Sequence, residues 1–141
     1  MKLITRELCL RNDLGVHGNL FGGTMMSWLD KAAAIEATRL CQSNKMVTAE
    51  IEAVKFIRKV KENQQVWIYG EVESVGNTSI VLNLEARKYN IYTGEEKLVC
   101  KTRVIFVRID EEGNKRPLGF GAKLEIEKEI KQRIENEQQE N

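Results

Sequence analysis

Apolar and polar residues alternate along several stretches of this chain, and such alternation predicts β-strands. The pattern is clearest over residues 80–86, where every second residue is isoleucine, leucine or alanine. In the first stretch we expect Leu8 and Leu10 to share one face, with Glu7 and Cys9 on the other. We predict strands over residues 2–10, 46–57, 65–75, 79–91 and 97–109. Short polar connections join the last four, which favours antiparallel neighbours over parallel crossovers.

Between the first two strands the pattern becomes that of a helix. Residues 24–41 are rich in alanine and methionine and contain no glycine or proline, so they predict about five helical turns. Apolar residues go most of the way round this helix, which therefore needs cover on nearly all sides. A curved antiparallel sheet of five strands covers one side, so we expect a second sheet from a partner chain. The predicted fold class is α+β, with one long central helix.

The C-terminal part of the chain has a different composition. Residues 119–141 are rich in Glu, Lys and Gln, with a narrow apolar stripe at Ile126, Ile130 and Ile134. This spacing predicts a peripheral helix that frays at its end, or else a helix that binds a partner. We therefore expect one domain over residues 1–118 and a polar helical tail over 119–141.

Charge and composition exclude several classes of function. Lys and Arg number 22 and Asp and Glu number 21, so the net charge of +1 leaves no basic footprint for nucleic acid. No apolar run approaches the roughly 18 residues of a membrane span, and the N-terminus lacks the apolar core of a secretory signal. We expect a cytoplasmic protein that binds neither nucleic acid nor membrane.

Cysteine and histidine are too few and too scattered for a metal site of the usual kind. Cys9, Cys41 and Cys100 lie far apart, and His17 is the one histidine. We therefore expect no metal and three buried or inert thiols. His17 has two interpretations, a general acid or base, or a solvated loop residue.

Asp30 is the anomaly of the predicted helix. Burying an isolated carboxylate is costly unless it is paired or neutralised, so a fold keeps such a residue for a partner or for chemistry. Ser27, Ala33 and Ala34 lie one turn away, and these small residues leave room for a ligand. Alternatively, Asp30 lies on a polar strip with Ser27, Ala34 and Ala37, or pairs with a sheet residue.

A glycine-rich approach to the helix is the second chemical signal. The N–H groups of a first helical turn lack intrahelical acceptors and carry the positive end of the helix dipole. Gly22 and Gly23 could therefore hold a carbonyl oxygen and stabilise an oxyanion. Asn19 could position water or the carbonyl, or it could simply be the N-cap. Asp30 is about 10–12 Å deeper along the axis, so a partner chain's Asp30 could be the nearer one.

Several stretches together resemble one family, the hotdog-fold acyl-CoA thioesterases of the YciA-like and cytosolic long-chain acyl-CoA hydrolase group. Residues 19–30, NLFGGTMMSWLD, resemble the family signature. Residues 47–60 resemble its second strand with a Phe-x-Arg-Pro-Val ending, and residues 76–79 resemble its Gly-Thr-Thr-Ser turn. Residues 106–118 resemble the closing strand and its Asp-x-x-Gly-Lys-Pro loop.

This resemblance implies a hotdog fold, with active sites at a dimer interface and dimers often joined into hexamers. Asp30 matches the catalytic carboxylate, a general base or nucleophile, and Asn19 matches a residue that assists on the opposite chain. The amides of Gly22 and Gly23 match the helix start that polarises the carbonyl. The residues expected near the substrate and its coenzyme A are Phe56, Arg58, Gly76, Asn77, Thr78, Ser79, Lys115 and Arg116.

The function expected from these features is hydrolysis of acyl-CoA to free acid and coenzyme A, without a metal or redox cofactor. An acyl-thioester dehydratase or hydratase of the same fold is one alternative, and it would need His17 paired with an acid. A non-catalytic acyl-CoA-binding module is another. A thioesterase acting on acyl carrier protein is a third, because acceptor choice depends on surface contacts.

Overall fold

The computed structural model describes residues 1–140 as five β-strands and two α-helices. Asn141, the last residue of the predicted tail, lies outside the described residues. In chain order the elements are β1 (Lys2–Leu8), a short 3₁₀ turn (Arg11–Asp13), α1 (Gly22–Cys41), β2 (Met46–Ile51), β3 (Gln65–Val75), β4 (Ser79–Tyr89), β5 (Glu96–Arg108) and α2 (Phe120–Glu140). The predicted order of strand, long helix and four strands is confirmed.

All five strands form one antiparallel sheet in the order β1-β3-β4-β5-β2, so β1 and β2 are its edges. The alternation in β4 places Ile80, Leu82 and Leu84 in the core. The central helix α1 contacts all five strands and buries Met25, Leu29 and other apolar residues against them. The predicted architecture of a sheet around one helix is therefore confirmed.

Within one protomer, the sheet does not surround α1 on all sides. Met26 and Ile35 are exposed, and Asp30 and Ala34 on the same open flank are half-buried. A single protomer thus leaves this flank of α1 uncovered, as expected for a five-stranded sheet that covers one side of the helix.

A carboxylate that the pattern did not single out is buried on another flank of α1. Glu36 is only 4% exposed, and the Arg39 guanidinium donates to it with an Nε–Oε1 distance of 2.5 Å. The Lys2 ammonium lies 3.9 Å from the other carboxylate oxygen. The fold can bury this charge because two cations face it.

Four predicted strands end earlier than the pattern indicates, by one to six residues. The edge strand β2 ends at Ile51, although residues 52–57 keep isolated hydrogen bonds to β5, such as Ile57 N–H to the Val99 carbonyl at 2.7 Å. A register shift after Thr48 starts this departure from regular pairing. The first strand ends at Leu8.

Beyond β1 the chain turns inward at Cys9. Cys9 is fully buried, whereas Leu8 and Leu10 are exposed. The Cys9 N–H donates to the Gln64 carbonyl at 2.9 Å, a bond that ties this residue to the loop before β3. The predicted alternation of Leu8 and Leu10 against Cys9 is therefore present, and the buried side is that of Cys9.

The C-terminal helix α2 packs against β3 and α1. Its apolar stripe is graded, with Ile126 buried, Ile130 half-buried and Ile134 exposed. β1 begins its pairing where Lys2 faces Gly70, so the end of β3 beyond Gly70 has no strand neighbour on that side. The Arg133 guanidinium donates to the Val72 carbonyl there, so α2 covers this open edge.

None of the helices formed by residues 1–140 is both long and apolar enough to cross a membrane.

Candidate active site

Asp30 lies on the open flank of α1, close to the edge strand β2. The Thr48 hydroxyl donates a hydrogen bond to its Oδ1 atom at 2.7 Å. Asp30 forms no ion pair with any cation of residues 1–140, and its Oδ2 atom accepts no hydrogen bond there. The open alternative of a sheet partner is therefore correct, but that partner is a neutral hydroxyl that orients the carboxylate without neutralising it.

The start of α1 presents free N–H groups. The N-cap is Phe21, which makes no side-chain capping bond, so the interpretation of Asn19 as the N-cap is wrong. The chain is anchored just before the helix, because Leu20 N–H donates to the Val60 carbonyl at 2.7 Å and Phe21 N–H donates to the Asp13 carbonyl at 2.8 Å. A fixed and uncapped helix start can bind a partial negative charge.

Both glycines at this helix start have close aromatic neighbours. A Cβ on Gly23 would lie 2.9 Å from Cε1 of the exposed Phe21 ring, so that ring would have to move to admit a side chain. A Cβ on Gly22 would lie 3.7 Å from Cε2 of Phe56, an ordinary contact. Phe56 therefore lies beside the helix start.

Asn19 and His17 belong to the loop that leads to this helix. The Asn19 carbonyl accepts the Gly15 N–H at 2.7 Å, which holds the loop closed, while its side-chain amide has no partner within residues 1–140. His17 is exposed, and no acidic side chain of the described chain pairs with it. This loop therefore offers a free amide near the helix start and an unpaired imidazole.

Asp30 and the helix start are too far apart in one chain to act on the same carbonyl. The seven or eight residues between them correspond to about 10–12 Å along α1. A general base must come within hydrogen-bonding reach of the water or group that it activates. Each protomer therefore holds two half-sites, the carboxylate with Thr48 and the helix start with Asn19.

The model of the family described as "Thioesterase superfamily" matches residues 17–100, which contain both half-sites. The chain belongs to this family. The acyl-CoA thioester hydrolase YciA of Salmonella typhimurium is 30% identical to this thioesterase over 120 residues, which cover 83% of this chain and 90% of that protein.

Two further comparisons agree with this assignment. YkhA of Bacillus subtilis, named an uncharacterized acyl-CoA thioester hydrolase, is 32% identical over 106 residues, 75% of this chain and 61% of that protein. This chain therefore spans less than two thirds of the Bacillus relative. HI0827 is described as a hexameric broad specificity acyl-coenzyme A thioesterase. The structure of its aspartate-to-alanine mutant superimposes on this chain with a TM-score of 0.85 at 28% identity. The match covers 94% of this chain and 97% of that one. The family and hotdog fold class expected from the motifs are confirmed.

Several predicted substrate contacts lie at the far end of the thioesterase. Ser79 pairs with Val107 of β5, whereas the Arg58 guanidinium donates to the Leu98 carbonyl of the same strand at 2.6 Å. Nine residues of β5 separate these points, about 30 Å at the rise of a strand. The turn 76–79 and the helix start of one chain therefore do not meet.

The loop that carries Lys115 and Arg116 lies at this same far end. Arg116 N–H donates to the Arg108 carbonyl at 2.9 Å, next to the turn 76–79. The Arg116 guanidinium forms an ion pair with Asp110 at 2.7 Å. The Asn114 backbone N–H, more than this cation, lowers the pKa of the Asp110 carboxyl. Arg116 is thus already paired, whereas Lys115 remains exposed.

The three thiols of the thioesterase are buried and chemically quiet. Burial raises the pKa of Cys41 and of Cys100 to about 11, and it also raises that of Cys9. All three are neutral thiols at neutral pH and are poor nucleophiles. No group of three or more His, Cys, Asp or Glu side chains in residues 1–140 is placed to hold a metal ion.

Thr48 is a candidate site residue that the sequence pattern did not predict. It lies 18 positions from Asp30 and within a stretch that already resembled the family, but the resemblance assigned it no role. Its importance follows only from the placement of β2 beside α1, because a threonine on a strand is otherwise unremarkable.

Proposed function

We propose that this protein hydrolyses acyl-CoA thioesters to the free carboxylic acid and coenzyme A. The observation that carries the proposal is the pair of half-sites, an Asp30 carboxylate oriented by Thr48 and an uncapped helix start at Gly22 and Gly23. The names of its relatives, acyl-CoA thioester hydrolases, support the same substrate class.

The two half-sites divide the chemistry between them. N–H groups at the helix start polarise the thioester carbonyl and stabilise the oxyanion that forms on attack. The Oδ2 atom of Asp30 takes a proton from water as the new carbon–oxygen bond forms, and the proton passes to the departing thiolate of coenzyme A. Asn19 positions the carbonyl or the water from the helix-start side. These steps need no metal or redox cofactor.

A complete site combines Asp30 of one protomer with the helix start of another. The β2 edge is the surface that fits this pairing, because Asp30 lies beside it and three of its four exposed residues, Val47, Thr48 and Ala49, carry no charge; the fourth is Glu50. The opposite edge, β1, carries Lys2, Arg6 and Glu7 and lies on the side where α2 packs. Uncharged edges pair readily. We place the dimer at β2 and propose that three dimers form a hexamer; HI0827 is described as hexameric.

The proposed substrate contacts follow from this pairing. Phe56 and Arg58 contact the substrate near the helix start of their own chain, and the turn 76–79 reaches it only from the second chain. The placement of Lys115 and Arg116 near coenzyme A stays a prediction. We expect the protein to work in the cytoplasm.

Replacement of Asp30 tests the proposed function directly. Asp30→Asn keeps the shape and the Thr48 contact but removes the base, so turnover of acyl-CoA should fall by about two orders of magnitude or more. Thiol release with short, medium and long acyl-CoA substrates measures this. Glu112→Gln, an exposed carboxylate changed to its amide, is the matched control and should retain activity. Near-wild-type turnover by Asp30→Asn would contradict the proposal.

The role of Asp30 as base or as nucleophile is separated by isotope labelling. A single turnover in ¹⁸O-water places the label in the acid product if Asp30 activates water. If Asp30 forms a mixed anhydride and water then attacks the aspartyl carbonyl, the first acid product carries an unlabelled oxygen from the enzyme.

Other variants and substrates separate the remaining alternatives. A dehydratase would lose its activity in His17→Ala, whereas the proposed hydrolase keeps it. A binding module would hold acyl-CoA without releasing thiol. An acyl-carrier-protein thioesterase would prefer the carrier-linked substrate over acyl-CoA in the same thiol-release assay.

A further inference from the structure

An aromatic residue occupies the N-cap position of α1. N-caps are usually Ser, Thr, Asp or Asn, whose side-chain oxygen accepts an N–H group of the first turn. Phe21 makes no such bond, and the N–H groups of Gly22, Gly23 and Thr24 have no acceptor within residues 1–140. Met25 is the first residue of α1 whose N–H bonds back along the chain, to the Phe21 carbonyl at 3.1 Å. An apolar cap therefore leaves three donors free for a substrate oxygen.

The Phe21 ring lies against these free donors. Its Cε1 atom is 2.9 Å from the point that a Cβ of Gly23 would occupy, and its Cδ2 atom is 3.6 Å from the corresponding point of Gly15. A Cβ lies about 2.5 Å from its own amide nitrogen, so the ring edge is within roughly 5.5 Å of the Gly23 nitrogen. The ring therefore uses space that two glycines leave open, one in the loop and one in the first helical turn.

The backbone on both sides of this ring is anchored, although the ring itself is 59% exposed. The Phe21 N–H donates to the Asp13 carbonyl at 2.8 Å. The Gly15 N–H donates to the Asn19 carbonyl, which closes the loop behind the ring. The fold of this one chain thus places an aromatic side chain at the helix start.

A second ring approaches the helix start from another direction. The Cε2 atom of Phe56 is 3.7 Å from the point that a Cβ of Gly22 would occupy. Successive residues of a helix project about 100° apart, so the rings beside Gly22 and Gly23 lie on different sides of the helix end. A thioester carbonyl held by the free N–H groups therefore has one ring near each of two sides.

The surroundings of Phe21 are suited to carbon atoms. A cavity of about 810 Å³ opens beside it, with Leu14, Val16 and Leu20 in its wall. Within the described chain, no Lys, Arg, Asp or Glu lines this cavity. The acyl side of a thioester is apolar, whereas its thiol side continues into the polar arm of coenzyme A. The acyl side is therefore the one that belongs beside Phe21.

We infer that Phe21 determines specificity by admitting acyl groups that are unbranched at the carbon next to the thioester carbonyl. This inference rests on the proposed function. A hydrogen bond holds the carbonyl oxygen about 2.9 Å from its donor nitrogen, and on this placement the adjacent acyl carbon is in contact with the ring edge, at about 3.5–4.0 Å. A methyl branch on that carbon has to displace the ring or pull the carbonyl away from its donors.

Two isomeric substrates test this inference. Butyryl-CoA and 2-methylpropanoyl-CoA contain the same atoms, and only the second is branched beside the carbonyl. Relative to alkaline hydrolysis of the same two thioesters, the wild-type protein should favour the straight isomer in kcat/KM by about tenfold or more, the scale on which an apolar pocket discriminates one methyl group. In Phe21→Ala this preference should fall to within about twofold, and in Phe21→Leu, which keeps an apolar cap, it should fall in part.

Phe120→Ala is the matched control, because Phe120 is also an exposed phenylalanine and lies at the start of α2. It should leave the preference unchanged. Phe56→Ala distinguishes the two rings at the helix start. An unchanged preference in both Phe21 variants would overturn the inference, and so would a loss of preference that is confined to Phe56→Ala.

Binding of stable analogues keeps this test separate from the proposed function. Ketones in which a methylene group separates the carbonyl from the sulfur of coenzyme A keep both acyl shapes and cannot be hydrolysed as thioesters. Calorimetry should show tighter binding of the straight ketone than of the branched ketone to the wild-type protein, and nearly equal binding to Phe21→Ala, even if no thioester is hydrolysed. Equal binding of both ketones to the wild-type protein would overturn the inference even if acyl-CoA is hydrolysed.

Discussion

The Thr48 hydroxyl determines how Asp30 presents its two oxygens. It donates to Oδ1 and leaves Oδ2 as the free acceptor on the open flank of α1. A threonine donor restricts the rotamer of the Asp30 carboxylate. A cation in the same place would instead compete with water for the carboxylate oxygens. The proposed base is therefore held in position, and its Oδ2 atom remains available.

Removing this donor should impair turnover more than substrate binding. In Thr48→Val the shape is kept, but the hydrogen bond to a charged group, worth about 1.5–3 kcal/mol, is lost. We expect kcat for acyl-CoA to fall by roughly tenfold or more, with little change in KM. Steady-state thiol release measures both constants.

The conservative variant separates positioning from a merely structural role. Thr48→Ser restores the hydroxyl and should recover most of the kcat, although it lacks the methyl group. If Val and Ser lower the melting temperature equally and affect kcat equally, then the hydroxyl does not position Asp30.

At the scale of elements, α2 closes the sheet where β1 does not reach. Arg133 donates to the Val72 carbonyl and lies 3.7 Å from the Glu71 carboxylate, while Ile126 is fully buried. An unpaired strand edge invites association with other chains, so covering it protects the fold. The tail is thus part of the packed structure.

Arg133→Met should loosen α2 at this contact. The Val72 carbonyl loses its donor, and an unsatisfied buried acceptor costs about 1–3 kcal/mol. Hydrogen exchange should become faster in the second half of α2 and at the end of β3. Lys128→Met on the exposed side of α2 is the control and should leave exchange unchanged. Equal exchange in both variants would contradict this role of Arg133.

The sequence predicts the helices and strands well, because the periodicity of apolar residues extends over many positions in each element. It fails to predict the burial of single residues whose contacts come from other elements. Leu8 and Leu10 alternate with Cys9, but the alternation does not say which side is buried, and the structure buries Cys9 and exposes both leucines. Glu36 looks exposed, yet Arg39 and Lys2 allow its burial. Such outcomes depend on which elements meet, which alternation does not encode.

The candidate site likewise contains residues that the sequence predicts and residues that it does not. Asp30 and the glycines at the helix start were found because a carboxylate in an apolar helix and paired glycines are unusual locally. Thr48 could not be found, since its partner lies in another element. The distance between the turn 76–79 and the helix start also required the strand register.

At the scale of the whole molecule, the β2 edge should control assembly. Val47→Lys places an ammonium on an exposed edge residue, and charged edges resist strand pairing. We expect a shift toward monomers in analytical ultracentrifugation, together with loss of thiol release. Leu124→Lys changes an equally exposed apolar residue on α2 and should retain assembly and activity. An assembled, active Val47→Lys protein would contradict the placement of the dimer.

The separation of Asp30 from the helix start by about 10–12 Å has a genetic consequence. Asp30→Asn and Asn19→Ala each inactivate every site of a pure dimer, but they damage opposite halves. When the two inactive proteins are unfolded and refolded together, mixed dimers regain one intact site each. The mixture should recover about a quarter of normal activity, as random pairing of two subunits requires. Two defective alleles expressed in one cell would then complement each other.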